Sequence, residues 1–429
     1  MSKQIHVDRK RIRKALFPTE SGPIIKSRLQ NDFYKYSMGF FFWYFYSFTQ
    51  TGYALTNRTK KIRLADEIRP EDLARELTHL GSLRYAEDEL SYIAGLRNES
   101  NAMFPESYIE ALRHSTLPGY KLNVSDGQFD FTAEGRWCYA TDWEVPTLTI
   151  ISALRTEAVM KKLSKKKQNE IIEYTAKAIE TKITVLLAHP EVFFSDFCTR
   201  RAASPLLQEY IIEIILEHIW KQFVGTSNVY FAKQFGISPS GTTAHEKDSV
   251  IAALAKNDEE LRQSPIEAAR KWWKLYGRGL SILLPDTFGS DWMFKNLPAE
   301  FAQDWRGMRQ DSMDLIEFGE KQIKFYKKHG QDPRERLMIP SDGLTLDSIL
   351  GVTKHFKDRM KISSGWGSFL GNDTNLGHPS IVIKAVSADG RSCVKLSDNI
   401  AKAIGPRDEI ERYKRVFEYG STNNTECSC

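Results

Sequence analysis

The chain has 429 residues, with 60 lysines and arginines against 55 acidic residues, a formal net charge of +5. Apolar residues make up 41%, aromatics 12% and charged residues 27%, which excludes a disordered, collagen-like or coiled-coil reading of the whole chain. The length suits two or three units, or one large barrel with additions, and so mild a charge argues against nucleic-acid binding while suiting small anionic ligands.

The stretch up to Gly22 is polar and basic and reads as an arm. Its start, Met1-Ser2-Lys3-Gln4, lacks the apolar segment of a signal peptide, so a cytoplasmic protein is expected. Ser27 to Leu55 is rich in aromatics. Its most lipid-like part, Met38 to Leu55, is broken by Ser47, Thr49, Gln50 and Gly52. A membrane span needs about 20 mostly apolar residues, so this run predicts a buried aromatic helix and no membrane contact. Glu71 to Arg113 alternates charges with Leu, Ile and Tyr at helical spacing, and Gln128–Thr132 alternates with the period of a strand. Trp143 to Ser152 opens with Glu144-Val145-Pro146 and then turns apolar.

Three helices are well signalled. Ser164 is placed to cap one whose apolar positions Ile172, Ala176, Ile179, Ile183 and Leu186 repeat at steps of four and three. Its Lys165-Lys166-Lys167 run reads as a solvated face. Ser204-Pro205 and Ser264-Pro265 each resemble a cap followed by proline in the first turn. The third helix is expected to end near Gly277 and Gly279. From Ile237 to Gly371 short apolar runs alternate with helical patterns. Ile282-Leu283-Leu284, Leu337-Met338-Ile339 and Lys361-Ile362-Ser363 read as strands of a parallel sheet or barrel. After Pro379, Ile381–Lys384 and Ser392–Leu396 flank Asp389-Gly390, a hairpin turn signal. The tail from Ser421 reads as disordered. The cysteines, Cys138, Cys198, Cys393, Cys427 and Cys429, are odd in number and scattered, which argues against a disulfide framework.

No repeat, phosphate-binding Gly-Lys-Ser/Thr loop or His-Glu-x-x-His motif is present, and Gly365 to Gly371 misses the dinucleotide fingerprint by one residue. What stands out is a constellation. Gly241-Thr242-Thr243-Ala244-His245-Glu246, Asp286-Thr287, Arg309-Gln310-Asp311-Ser312, Ser341-Asp342-Gly343 and Gly365-Trp366-Gly367-Ser368 each follow a strand-like run. Their intervals of roughly 20–40 residues match one strand plus one helix, so a barrel would bring them to one mouth. Taken singly, His245 reads as a packed histidine and Asp286 or Asp342 as a helix cap. Together they offer glycine turns for phosphate oxygens, carboxylates for ribose hydroxyls or Mg2+, a histidine and several arginines. Sugar-phosphate chemistry fits this set better than hydrolysis or hydride transfer.

The same residues resemble those of the nicotinate phosphoribosyltransferases, a type II phosphoribosyltransferase family. Gly225-Thr226-Ser227-Asn228, followed by Phe231-Ala232 and the Gly241–Glu246 cluster, matches the family's signature stretch. Leu284-Pro285-Asp286-Thr287-Phe288-Gly289, Arg309-Gln310-Asp311-Ser312-x-Asp314, Ser341-Asp342-Gly343-Leu344 and Gly365-Trp366-Gly367-Ser368-x-x-x-Asn372-Asp373 continue it. Asn31-Asp32-Phe33-Tyr34-Lys35, Trp143-Glu144-Val145-Pro146, Asp196-Phe197-Cys198-Thr199-Arg200-Arg201 and Val394-Lys395-Leu396-Ser397-Asp398-Asn399 also correspond.

The resemblance implies an α/β fold: an irregular α/β barrel, expected over 149–377, and an α/β domain assembled from both ends of the chain, 1–148 with 378–429. It implies the joining of nicotinate to phosphoribosyl pyrophosphate in NAD salvage, with Mg2+ on the pyrophosphate and ATP coupled through transient phosphorylation of His245. The metal ligands are left unassigned. Gly365, Gly367 and Ser368, with Ser341, Asp342 and Gly343, would hold the 5-phosphate. Asp311, positioned by Arg309, would bind ribose hydroxyls, and Gly241 would contact substrate. Phe197 and Tyr34 would sandwich the pyridine ring, with Tyr34 supplied by a second subunit of a homodimer. Arg200 would lie on the base and phosphate path, Arg58 on the pyrophosphate, and Asp286 would orient the base or a water.

The chain departs from the family pattern in places. Met313 stands for a usual Gly and Leu315 for a frequent Pro. If that turn needs positive φ, Met313 strains it and shifts Asp311. Cys198 replaces a Gly beside Phe197 and is expected to narrow the base pocket; Gln310, Lys247 and Gly371 replace a frequent His, Trp and Thr. These changes keep two alternatives open: nicotinamide as the base, or a catalytically impaired relative that binds phosphoribosyl pyrophosphate. An unrelated sugar-phosphate barrel enzyme is a third.

Overall fold

The polar residues of the aromatic run mark a change of structure. In the computed structural model, which describes residues 5–18, 22–421 and 423–425, Phe33–Phe45 is a helix whose first ten residues are all buried. The chain then turns, and Gln50–Asn57 is a strand with Thr51 and Tyr53 facing inward. The single helix expected over Met38–Leu55 is therefore a helix and a strand: alternation takes over once the apolar stretch ends. Met1–Gln4 and Cys427-Ser428-Cys429 lie outside the described residues.

The strands that frame the molecule are β1 (Gln50–Asn57), β2 (Tyr120–Ser125), β3 (Gln128–Arg136), β4 (Phe194–Asp196), β5 (Phe223–Thr226), β6 (Ile282–Leu283), β7 (Gly307–Gln310), β8 (Leu337–Pro340), β9 (Lys361–Ile362), β10 (Ser364–Trp366), β11 (Ile381–Ala388) and β12 (Arg391–Ser392). One five-stranded sheet has the order β12-β11-β1-β3-β2. In it β1 pairs antiparallel with β3 on one side and β11 on the other, so the sheet is built from both ends of the chain. Asp389 and Gly390 turn the β11–β12 hairpin at φ +46° and +77°, as a primed turn requires. The last strand stops at Ser392, short of the expected Leu396.

The other strands are short and parallel, in the orders β10-β4-β5 and β9-β8-β7-β6. The Ser363 N–H donates to the Met338 carbonyl at 3.2 Å, linking the two sheets. The result is an interrupted α/β barrel. Asp286, Asp311 and Ser341 follow the C-terminal ends of β6, β7 and β8, and Phe197, Ser227 and Gly367 those of β4, β5 and β10. This is the end of a barrel where sites are built.

Local signals held at two of the three helices. Ser164 caps Lys165–Ala188 and Ser204 caps Pro205–His218, each accepting from a backbone N–H three residues on. The third helix begins earlier than expected, at Asp258 with Asn257 as its cap, and Pro265 lies inside it. Proline cannot donate to the Leu261 carbonyl four residues back. The Ser264 hydroxyl does so instead, at 2.8 Å, so the helix continues through a proline that normally breaks it.

The basic N-terminal stretch is partly a docked helix, Arg9–Leu16, and not an arm throughout. Val7, Ile12, Ala15 and Leu16 share one apolar core with Lys165–Ala188 and Pro205–His218. Arg9 pairs with Glu180 at 2.6 Å and the Asp8 N–H donates to the Tyr210 hydroxyl. Among the described residues no helix is long and apolar enough to cross a membrane.

Behind the antiparallel sheet lies a buried charge cluster. Lys35 Nζ meets Glu246 Oε2 at 2.6 Å, Glu144 Oε2 at 2.7 Å and Thr141 Oγ1 at 2.8 Å. Glu246 Oε1 also accepts from Tyr53, Trp137 and Thr141. Lys35 thus joins the first helix after the arm, the start of Glu144–Lys162 and the helix carrying His245. Lys35→Met leaves two buried carboxylates without their central cation. The expected loss is about 3–5 kcal/mol of unfolding free energy, read by chemical denaturation.

Candidate active site

His245 opens the helix His245–Ala253 and is buried. Its Nε2 lies 2.6 Å from Asp286 Oδ1 and 3.6 Å from Asp311 Oδ2. Burial pushes the imidazole below its ordinary value, against the pull of Asp286. Burial also opposes the charge on Asp286, but the His245 ring and Lys395 keep that carboxyl below the usual range. The consistent state is a neutral imidazole that donates Nε2–H to an ionised Asp286. Nδ1 takes no hydrogen bond from the described residues and keeps its lone pair. His245, Asp286 and Asp311 could also offer one metal ligand each, within 4.8 Å of one another. Asp286 is the least available, since its other oxygen accepts from Ser312 at 2.6 Å.

The histidine faces a cavity of about 770 Å3. On one wall Arg309 donates to Asp311 Oδ1 at 2.9 Å and to Ser341 Oγ at 2.8 Å. Burial opposes ionisation of Asp311, yet Arg309, with His245 and the nearby lysines, holds it well below the usual carboxylate range. Asp342, Gly343, Gly367 and Ser368 line the same wall, and Lys402 Nζ meets Asp342 Oδ2 at 2.7 Å. Burial pushes Asp342 up, with Asp311 adding to the shift.

Elsewhere in the lining Arg200 Nη1 donates to the Tyr34 hydroxyl at 3.1 Å and to Asp32 Oδ2 at 3.3 Å. Phe197 projects beneath Arg309, whose guanidinium carbon lies 5.7 Å from the ring centroid. Gly241 and Arg58 complete this part of the lining. At φ +139° Gly241 holds a backbone shape that side chains rarely adopt. A larger cavity of about 1310 Å3 lies elsewhere, beside Ile24, His79 and Tyr230, but it gathers none of the five chemical clusters.

Most of the sequence-predicted residues therefore meet. Several roles change. Gly365 sits within β10, behind the lining: a Cβ there would fall 2.4 Å from the Phe197 ring. Its smallness seats Phe197, and it is not among the lining residues. Asp286 is likewise held behind His245, outside the lining. Tyr34 lines the cavity of its own chain. Met313 is absent from the residues with positive φ, and Leu315 is the first residue of a helix capped by Asp314. That turn needs neither Gly nor Pro, and Asp311 keeps its partners.

The Cys198 expectation is also corrected. Its side chain is 1% exposed and outside the cavity lining. A Cβ on residue 371 would meet its sulfur at 2.4 Å. The thiol fills the volume that a side chain at 371 would need, so Cys198 and Gly371 amount to one exchange of volume.

Three lysines of the lining were given no role from the sequence: Lys384, Lys395 and Lys402. Lys384 lies on β11 and meets Glu144 Oε1 at 3.2 Å. Burial pushes its ammonium down to about 8, against Glu144. A lysine in an alternating strand looks like a solvent-facing residue. The usable signal was the Lys395–Asn399 stretch, which matched the family without a role attached.

Comparison with known proteins agrees with this geometry. A family model described as the nicotinate phosphoribosyltransferase (NAPRTase) family matches residues 192–421, and one described as the N-terminal domain of that family matches 29–152. Among solved structures, the chain is similar to a nicotinate phosphoribosyltransferase from Vibrio cholerae, at 26% identity and a TM-score of 0.84, over 95% of this chain and 96% of that one. It is similar to another from Porphyromonas gingivalis, at 26% identity and a TM-score of 0.80, over 92% of this chain and 100% of that one.

Two measurements check the site. Gly371→Thr alone overpacks against Cys198 and should cost about 1–3 kcal/mol in chemical denaturation; adding Cys198→Gly should recover most of it. Lys384 is cationic below about 8 and neutral above. The affinity for a pyridine carboxylate, whose own charge is constant over this range, should therefore fall as pH rises from 7 to 9, and Lys384→Met should weaken binding at pH 7 by about tenfold and flatten that profile.

Proposed function

Because the chain belongs to the nicotinate phosphoribosyltransferase family, we propose that it joins nicotinate to phosphoribosyl pyrophosphate, releasing nicotinate mononucleotide and pyrophosphate, with ATP consumed through a transient phosphate on His245. The observation that carries this reading is the His245–Asp286 pair. An imidazole that donates Nε2–H to a carboxylate presents Nδ1 as a nucleophile, and here it does so inside a cavity lined by Arg58, Arg309, Lys395 and Lys402.

As pyrophosphate leaves the ribose C1, positive charge grows on the sugar and negative charge on the departing group. Asp311, already ionised and braced by Arg309 and Ser341, would orient the ribose hydroxyls and face that positive charge. Arg58, Lys395 and Lys402 would receive the pyrophosphate. Gly367, Ser368 and Gly343 would hold the 5-phosphate. Phe197 and Tyr34 would enclose the pyridine ring. Asp311 Oδ2 is an open carboxylate oxygen of the type Mg2+ takes. Mg2+ bound there with substrate oxygens would neutralise the leaving group.

A carboxylate on the base needs a cation, and Arg200, Arg309 and Lys384 are all at hand. That favours nicotinate over nicotinamide, and with Cys198 turned away from the cavity the reason for the amide falls. The intact Arg309–Asp311–Ser341 contacts likewise remove the motive for a catalytically impaired relative. The activity would belong to NAD salvage in the cytoplasm.

The test is pyrophosphate release from phosphoribosyl pyrophosphate and Mg2+, with nicotinate or nicotinamide, with and without ATP. Release with nicotinate that rises with ATP is expected. His245→Ala should keep the fold and the ATP-independent release but lose the stimulation. Stimulation that survives in that variant overturns the role of His245, and release with nicotinamide alone overturns the choice of base.

A further inference from the structure

The hydrogen-bonded chain behind His245 continues past Asp286. Ser312 Oγ donates to Asp286 Oδ2 at 2.6 Å. The backbone N–H of Asp398 donates to that same hydroxyl oxygen at 3.1 Å. Asp398 Oδ2 is also within reach of the hydroxyl, at 3.4 Å, but the much shorter contact to Asp286 takes its proton. Both Asp286 oxygens are then committed, one to His245 and one to Ser312.

Asp398 is itself clamped. Its Oδ1 accepts from the Ser290 N–H and its Oδ2 from the Ser290 hydroxyl, both at 2.6 Å. Ser290 opens the helix Ser290–Asn296 shortly after Asp286, so the carboxylate ties the start of that helix to the turn at Ser397. The preceding residue, Ser397, is buried at φ +67°, a conformation unfavourable for a non-glycine residue. Its hydroxyl has no partner among the described residues, so nothing in its side chain repays that cost. The surroundings hold it: the N–H groups of Leu396 and Ser397 both donate to the Thr287 carbonyl, at 2.9 and 3.2 Å. This kink sends Lys395 Nζ to 4.0 Å from Asp286 Oδ2. It also keeps Asp398 outside the cavity lining.

We infer that Asp398 is a positioning residue for the phosphorylation of His245: by clamping Ser290 it aims its own N–H at Ser312, which orients Asp286 and fixes the His245 ring with Nδ1 open. The inference rests on the ATP-coupled reading above. In that step the Nδ1 lone pair forms the N–P bond to the γ-phosphorus of ATP. The bond from that phosphorus to the β–γ bridging oxygen breaks, and ADP leaves with its electron pair. The positive charge left on the ring, still bearing Nε2–H, is met by the Asp286 carboxylate. A ring free to turn would present Nδ1 less often, and the step would slow without any change in the phosphoribosyl pocket.

The experiment uses the full chain. Asp398→Ala should lower the rate of phosphohistidine formation from γ-labelled ATP by about tenfold while ATP-independent pyrophosphate release stays within about twofold. Asp398→Asn keeps an oxygen for the Ser290 N–H and should recover part of the rate. Ser290→Ala removes one of the two clamp bonds, so a smaller loss in the same direction is expected there, which carries the test if Asp398→Ala does not fold. Unchanged phosphorylation in Asp398→Ala and Ser290→Ala overturns the inference, as does an equal fall in ATP-driven and ATP-independent release. Absence of phosphohistidine in the unaltered protein overturns the ATP-coupled reading and this inference together.

Discussion

The pairing of β1 with β11 is the constraint on which the site depends. A strand beginning at Gln50 hydrogen-bonds along a strand ending at Ala388. Everything between them, the barrel included, is one closed loop of chain. The sheet carries Tyr34 and Arg58 from one end of the sequence, and Lys384, Lys395 and Lys402 from the other, to the mouth of a barrel that supplies the carboxylates and His245. Closing so long a loop costs entropy that non-local strand pairing must offset. The apolar core beneath the sheet, from Phe41 and Tyr53 to Trp137 and Ile383, makes that closure favourable.

The second organising feature is electrostatic. Carboxylates and ammonium groups are crowded into a partly dry volume, where each changes its neighbours. Arg309 stabilises the charge on Asp311, while burial lowers the ammonium of Lys384 and the imidazole of His245. An anionic ligand in the same volume would favour the charged forms of both and supply their counter-charge. The same logic operates behind the site, where Lys35 sits between Glu144 and Glu246 and ties the His245 helix to the residue next to Tyr34.

Local features of the fold were legible because their causes are local. A serine before a helix offers an oxygen to a free N–H, and Asp389-Gly390 tolerates the positive φ of a tight hairpin. The reading failed where a distant or compensating contact intervened. Pro265 looked like a helix start until the Ser264 hydroxyl was seen to replace its missing donor. The basic N-terminal stretch looked free until four apolar side chains were found in a groove between two helices far along the chain. In the site, His245, Asp311 and Asp342 were legible because their spacing matched the step of a barrel. Lys384 was not, because one strand does not reveal which face meets a cavity. Cys198 and Gly371 read as two departures because only their contact shows them to be one.

The sequence by itself determined the class of the protein: an α/β chain whose histidine, carboxylates and glycine turns recur at the ends of successive strands, in the order of one family. Composition, capping and alternation act over a few residues, so they can be read without the fold. The tertiary structure decided that Tyr34 lines the cavity of its own chain, that Gly365 seats Phe197, that Met313 is unstrained, and that Asp286 stands behind His245 with both oxygens engaged. Each of these depends on distances between residues far apart in sequence, and such distances exist only once the sheet has closed and the cavity has a shape.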